Sequence, residues 1–178
     1  MQREIIKRTL SAKQICALAI IGAIMFTSKV ALSAFPNVNL NALIIILTTT
    51  YFGWKAIYSV DVYVLLEGLF YGFGLWWLSY LYTWPLLVII TMLIRKNKST
   101  ILRATVAGLF GFAFGPLMYI GYFVFSGGWG GFWGMWISGI PYDLTFAVSN
   151  FLSVIILYPP LSKVLSIIIN TQFAELKN

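Results

Sequence analysis

Four ionisable residues stand inside long apolar runs: Lys29, Asp61, Glu67 and Asp143. A charge near the centre of a membrane-crossing helix costs about 2.5–3.5 kcal/mol on insertion scales, so each is read first as a functional group. Spacing orders them by depth. At 1.5 Å per residue, Lys29 lies about 24 Å beyond Lys13, Glu67 about 18 Å and Asp61 about 9 Å beyond Lys55. Asp143 opens the last apolar run from the opposite side. Lys29, Glu67 and Asp143 are therefore expected to converge near one face, where carboxylates and a cation can bind a ligand. The structural alternative is a Lys29–Glu67 ion pair joining two helices, with Asp143 as an N-terminal cap. Asp61 is expected to be structural and to reach the nearer interface. Asp61 and Glu67 are six residues apart, roughly 120° around a helix, so they do not form a catalytic carboxylate pair.

Other chemistry is missing. The sequence has no histidine and one cysteine, Cys16, in an apolar run. That removes the commonest general base and the commonest metal ligand. There is no nucleotide-binding glycine loop, no His-Glu-x-x-His and no Gly-x-Ser-x-Gly. The chain is expected not to be an enzyme and to hold no cofactor and no metal. What remains is binding chemistry. Aromatic residues cluster at Trp76-Trp77, Tyr80-Leu-Tyr82-Thr-Trp84 and Trp129, Trp133, Trp136. Interfacial belts account for part of these. Aromatic walls with a few polar groups also build small-molecule pockets. The run Ser126-Gly-Gly-Trp-Gly-Gly-Phe-Trp-Gly-Met-Trp136 is too rich in glycine for a stable helix and reads as a loop folding over such a pocket.

The elements that must position these groups follow from composition. Of 178 residues, 60% are hydrophobic and 10% charged, against about 25% charged in soluble domains. The sequence reads as one all-α integral membrane domain, with no room for a separate ATPase, receptor or nucleic-acid domain. Six transmembrane helices are expected at about 15–34, 40–52, 56–71, 76–94, 102–125 and 141–158. The first resembles a signal peptide in its basic start but is too long. Phe35-Pro-Asn-Val-Asn39 is a turn, and Gly53-Trp-Lys55 and Gly72-Phe-Gly74 are helix stops. Pro85 and Pro116 predict kinks, and Pro159-Pro160 an interruption before an amphipathic tail. Arg3, Lys7, Arg8, Lys13, Lys55, Arg95, Lys96, Lys98, Arg103, Lys163 and Lys177 all fall on one side of a six-span chain, and the three loops on the other side carry no lysine or arginine. The positive-inside rule then makes both N and C termini cytoplasmic, in a multi-pass cell membrane protein. The net charge of +7 needs no nucleic acid to explain it. Small residues at four-residue spacing, Ala19/Ala23, Gly68/Gly72 and Gly111/Gly115, allow close helix approach.

Taken together, the chain resembles the substrate-binding S component of energy-coupling factor (ECF) vitamin transporters of prokaryotic plasma membranes. The resemblance rests on six spans in about this length, a basic start before an alanine-rich first span, Ala19-Ile-Ile-Gly-Ala23, and Gly139-Ile-Pro-Tyr-Asp-Leu-Thr-Phe-Ala-Val-Ser-Asn150 at span 6. It implies that Ala19 and Ala23 dock on a transmembrane coupling subunit, which works with two ATP-binding subunits. It also implies a vitamin held near the outer face by spans 4 to 6 and the loop between spans 1 and 2. Carried onto this chain, that implicates Asn37, Asn39, Asn41, the Trp76–Trp84 stretch with Trp77 and Tyr80, Trp133, Trp136 and Asp143, beside Lys29 and Glu67. The acceptors in this set favour a ligand rich in N–H or O–H donors, or a cation, over a polyanion. Cobalamin ranks first, with pyridoxine-like vitamins and pyrimidine or thiamine precursors behind it. A small ion-coupled secondary transporter using Glu67 or Asp61, and a non-transporting membrane scaffold, are the alternatives.

Overall fold

The computed structural model describes residues 10–123 and 127–172, and every regular element among them is helical. The helices are α1 (Ala12–Ala31), α2 (Asn41–Phe52), α3 (Ala56–Tyr71), α4 (Leu75–Ile94), α5 (Thr100–Ile120) and α6 (Gly128–Gln172), with a short 3₁₀ turn, Gly53–Lys55, between α2 and α3. Their ends follow local chemistry. Ser11 and Ser99 cap α1 and α5, accepting from the backbone N–H of Gln14 and Leu102, as hydroxyl caps do. Asn39 Oδ1 accepts from the Asn41 N–H at 3.0 Å and starts α2. Gly53 and Gly72, at φ 62° and 90°, end α2 and α3 in a left-handed backbone open to glycine.

Side-chain pairs fix the helix directions. Lys29 meets Glu67, and Gln14 meets Lys55, so α1 and α3 run parallel, and α2, which joins them in sequence, runs the opposite way. Arg95, at the end of α4, donates to the Thr50 and Tyr51 carbonyls at the end of α2. Ser79 and Tyr82, near the start of α4, reach carbonyls at the end of α5. The six helices therefore alternate in direction, with a Lys29 end and a Lys55 end. Helix α2 lies at the centre: nine of its 12 residues are buried, as expected for a helix apolar on all sides. Around it the core joins Met25, Val60, Tyr63, Trp84, Leu87, Phe110 and Val154. Many outward-facing side chains are apolar and exposed, Leu93, Ile101, Leu109 and Ile156 among them.

Among the described residues, five helical segments are long and apolar enough to cross a membrane: Ala12–Ala31, Asn41–Tyr71, Leu75–Ile94, Thr100–Ile120 and Gly128–Thr171. The second folds back on itself at Gly53. Its arms are about 18 and 24 Å long at 1.5 Å per residue, each shorter than a hydrocarbon core of about 30 Å.

Three local expectations are overturned. The glycine-rich segment from Gly128 onward is helix, not loop, and α6 passes through Pro141 and Pro159-Pro160 without a break. In a segment apolar enough to cross a membrane, an unpaired backbone group costs more than proline's helix penalty, which accounts for α6 running on through its prolines. Asp143 consequently sits well inside α6 and caps nothing. Residues 3, 7, 8, 124–126 and 177 of the sequence-based scheme lie outside the described residues.

Candidate functional site

A cavity of about 290 Å³ opens at the Lys29 end, lined by Lys29, residues 32–33 and 35–39, Tyr71, Tyr80, Trp84, Phe114, Asp143 and Phe146. Its cover is the loop joining α1 to α2. Successive turns shape that loop, with Phe35 N–H donating to the Leu32 carbonyl and Val38 N–H to that of Phe35. Asn37 takes φ 59° there, a conformation asparagine tolerates better than most residues.

One wall is an ion pair. Lys29, in the last turn of α1, places Nζ 2.5 Å from Glu67 Oε2 of α3. Nζ also donates to Tyr80 Oη at 3.5 Å and lies 5.2 and 5.4 Å from the Tyr71 and Tyr80 ring centroids. Glu67 is fully buried, while the Lys29 side chain is 29% exposed. Tyr63 stacks against Tyr80 at 6.2 Å behind this pair. A second concavity, lined by Lys29, Glu67, Tyr71 and Trp76, flanks the same ion pair.

The other wall comes from α4, α5 and α6. Asp143 is 6% exposed, and its Oδ1 accepts from the Gly115 N–H at 3.1 Å. A Cβ at residue 115 would fall on the Asp143 carboxylate, so only glycine lets the acid seat against α5. Gly111 does the same against Ala147 and Asn150. The rings of Tyr80, Trp84, Phe114 and Phe146 continue as an array of edge-to-face contacts and one tilted contact (Trp84–Phe114), at centroid spacings of 5.0–6.2 Å. Two buried polar atoms of cavity-lining residues have no hydrogen-bond partner: Asp143 Oδ2 and Trp84 Nε1. Each orphan costs roughly 1–3 kcal/mol unless something in the cavity pairs with it. The arrangement suits binding, with a carboxylate acceptor, an indole donor and flat apolar walls. Among the described residues no three metal-ligating side chains converge.

Lys29, Asn37, Asn39, Tyr80, Trp84 and Asp143 therefore meet around one space. Glu67 stands behind Lys29 as its counter-ion. Asn41 is fully buried and does not line the cavity. Trp76 packs edge-on against Tyr80, and Trp77 donates its Nε1–H to the Val64 carbonyl at 2.8 Å, pinning α4 to α3. Trp133 and Trp136 pair with each other on the first turns of α6 and are not among the lining residues. On α1, Ala23 is exposed and Ala19 half-buried. It is Gly22 that packs inward, against Ser59 and Val62 of α3. Asp61 is exposed on the outer surface of α3. Sequence reasoning missed Tyr71, Phe114 and Phe146 as walls. The one signal for Phe114 was its place one residue before Gly115, on the helix turn that receives Asp143. No protein-family model, curated protein or solved structure matches the chain.

Proposed function

We propose that this chain is a six-pass membrane protein that captures a small water-soluble vitamin or vitamin precursor, as the S component of an ECF-type importer does. It would hand the ligand to a coupling subunit driven by two ATP-binding subunits. The observation that carries the reading is the cavity itself: a covered space with two orphaned polar atoms and aromatic walls. The topology has separate support. Lys13, Lys55, Arg95, Lys96, Lys98, Arg103 and Lys163 belong to the Lys55 end, whereas the connections at the Lys29 end carry neither lysine nor arginine. By the positive-inside rule the cavity faces outward and both termini are cytoplasmic. The exposed Ala23 on α1 supports a partner-facing side for that helix.

Size bears on the ligand. At about 290 Å³ the cavity lies at the small end of the ~300–1,000 Å³ range of small-molecule sites, which suits a molecule of one or two rings. Cobalamin, ranked first on donor content alone, is several times larger and would enter only with the 32–40 loop displaced. An ion-coupled carrier has less support, since Glu67 is neutralised by Lys29 and Asp61 does not line the cavity.

Native mass spectrometry of the purified protein tests the reading. A retained vitamin-sized molecule, together with co-purification of an ATPase, supports it. Uptake that follows a proton gradient without ATP refutes it.

A further inference from the structure

The charge inventory of the cavity does not balance. Lys29 and Glu67 cancel as a pair at 2.5 Å. Asp143 is left with one backbone N–H on Oδ1 and nothing on Oδ2. A buried carboxylate so poorly paired is stabilised by a counter-charge or else takes up a proton, and none of the remaining lining residues is a cation. The walls beside it are Tyr80, Trp84, Phe114 and Phe146, whose ring faces carry the negative lobe of the aromatic quadrupole and attract cations. An anion would meet a carboxylate with no free cation beside it to offset the repulsion. Trp84 Nε1–H, also unpartnered, adds one hydrogen-bond donor.

Resting on the reading that this cavity holds a ligand, we propose that the ligand is a compact organic cation. It is a protonated amine or a cationic nitrogen heterocycle, with its positive nitrogen on Asp143 Oδ2 against the aromatic array. A hydroxyl or carbonyl oxygen on the same molecule accepts from Trp84 Nε1–H. Lys29 does not oppose it, because Glu67 and the Tyr71 and Tyr80 rings already hold that ammonium.

The test uses the full chain in nanodiscs at pH 7.5 with tryptophan fluorescence and calorimetry. One series keeps the ring and varies the charge: 1-methylnicotinamide (cation), nicotinamide (neutral) and nicotinate (anion). Thiamine, pyridoxamine and choline extend the cations, and biotin and pyridoxine the others. At least one cation should bind with Kd below about 1 mM and at least tenfold tighter than every neutral or anionic probe. Asp143→Asn should weaken that cation roughly tenfold to a hundredfold, the range for losing a hydrogen bond to a charged group. Asparagine can still accept from Gly115, so folding should survive. Should it not, Phe114→Leu, which removes one ring face but keeps apolar bulk, should still weaken the cation severalfold. Neutral or anionic probes binding as tightly as the cations, no cation binding at all, or a folded variant with unchanged affinity would each overturn the proposal. ATP-driven uptake of a neutral vitamin would overturn it while leaving the transporter reading intact. Cation binding without any ATPase partner would do the reverse.

Discussion

Removing either half of the Lys29–Glu67 pair should have unequal consequences, and the inequality can be worked out from burial. Glu67 is 0% exposed, and its second oxygen already lacks a partner. Lys29→Met strands that carboxylate in the core, a loss of about 3–5 kcal/mol for a broken buried pair. Glu67→Met strands Lys29 instead. That side chain is 29% exposed, can turn into the cavity, and keeps two aromatic faces at 5.2 and 5.4 Å. Cation–π contacts of about 0.5–2 kcal/mol each offset part of its loss, leaving a cost of about 1–2 kcal/mol. The double variant replaces an ion pair by apolar side chains of similar volume, which is commonly near neutral. Thermal unfolding of the detergent-solubilised protein reads all three. At about 2–4 °C per kcal/mol for a chain of this size, Lys29→Met should lower the midpoint by about 6–20 °C, Glu67→Met by less than half as much, and the double by a few degrees. Equal losses in the two single variants, or a double variant whose loss is their sum, would refute the claim that the pair acts as a buried unit.

Four further outcomes are expected. Gly22→Leu should destabilise the α1–α3 contact by a few kcal/mol, since even a Cβ there would lie 2.6 Å from the Ser59 carbonyl oxygen; Ala23→Trp should leave the unfolding midpoint unchanged and instead block co-purification with a coupling subunit. In a Cys16→Ser background, needed because Cys16 is exposed, cysteines at Asn37 and Gly130 should react with an impermeant reagent from outside intact cells and one at Asn97 should not; the opposite pattern inverts the topology. Trp77→Phe should cost about 0.5–1.5 kcal/mol of stability through the lost bond to the Val64 carbonyl, with probe binding unchanged, whereas an affinity loss would put Trp77 in the cavity.

Features that depend on period and composition were legible before any folding. Apolar runs, stop signals at Gly53 and Gly72 and the one-sided lysines and arginines are local properties, so the helices α1 to α5 lie close to where the sequence puts them. Depth arithmetic also carried Lys29 to Glu67, because a straight helix turns residue number directly into height. Height says nothing about azimuth, which is set by how the helices pack. Trp76, Trp77, Tyr80 and Trp84 share one helix, yet only Tyr80 and Trp84 turn into the cavity. Pro141 reads in the sequence as a helix start and Asp143 as its cap; the helix in fact runs unbroken from Gly128 through Pro141, which turns the acid into a wall. Its seat exists because Gly115, on another helix, lacks a side chain at the point of contact. No single-segment pattern encodes that meeting, since it depends on how α5 and α6 pack.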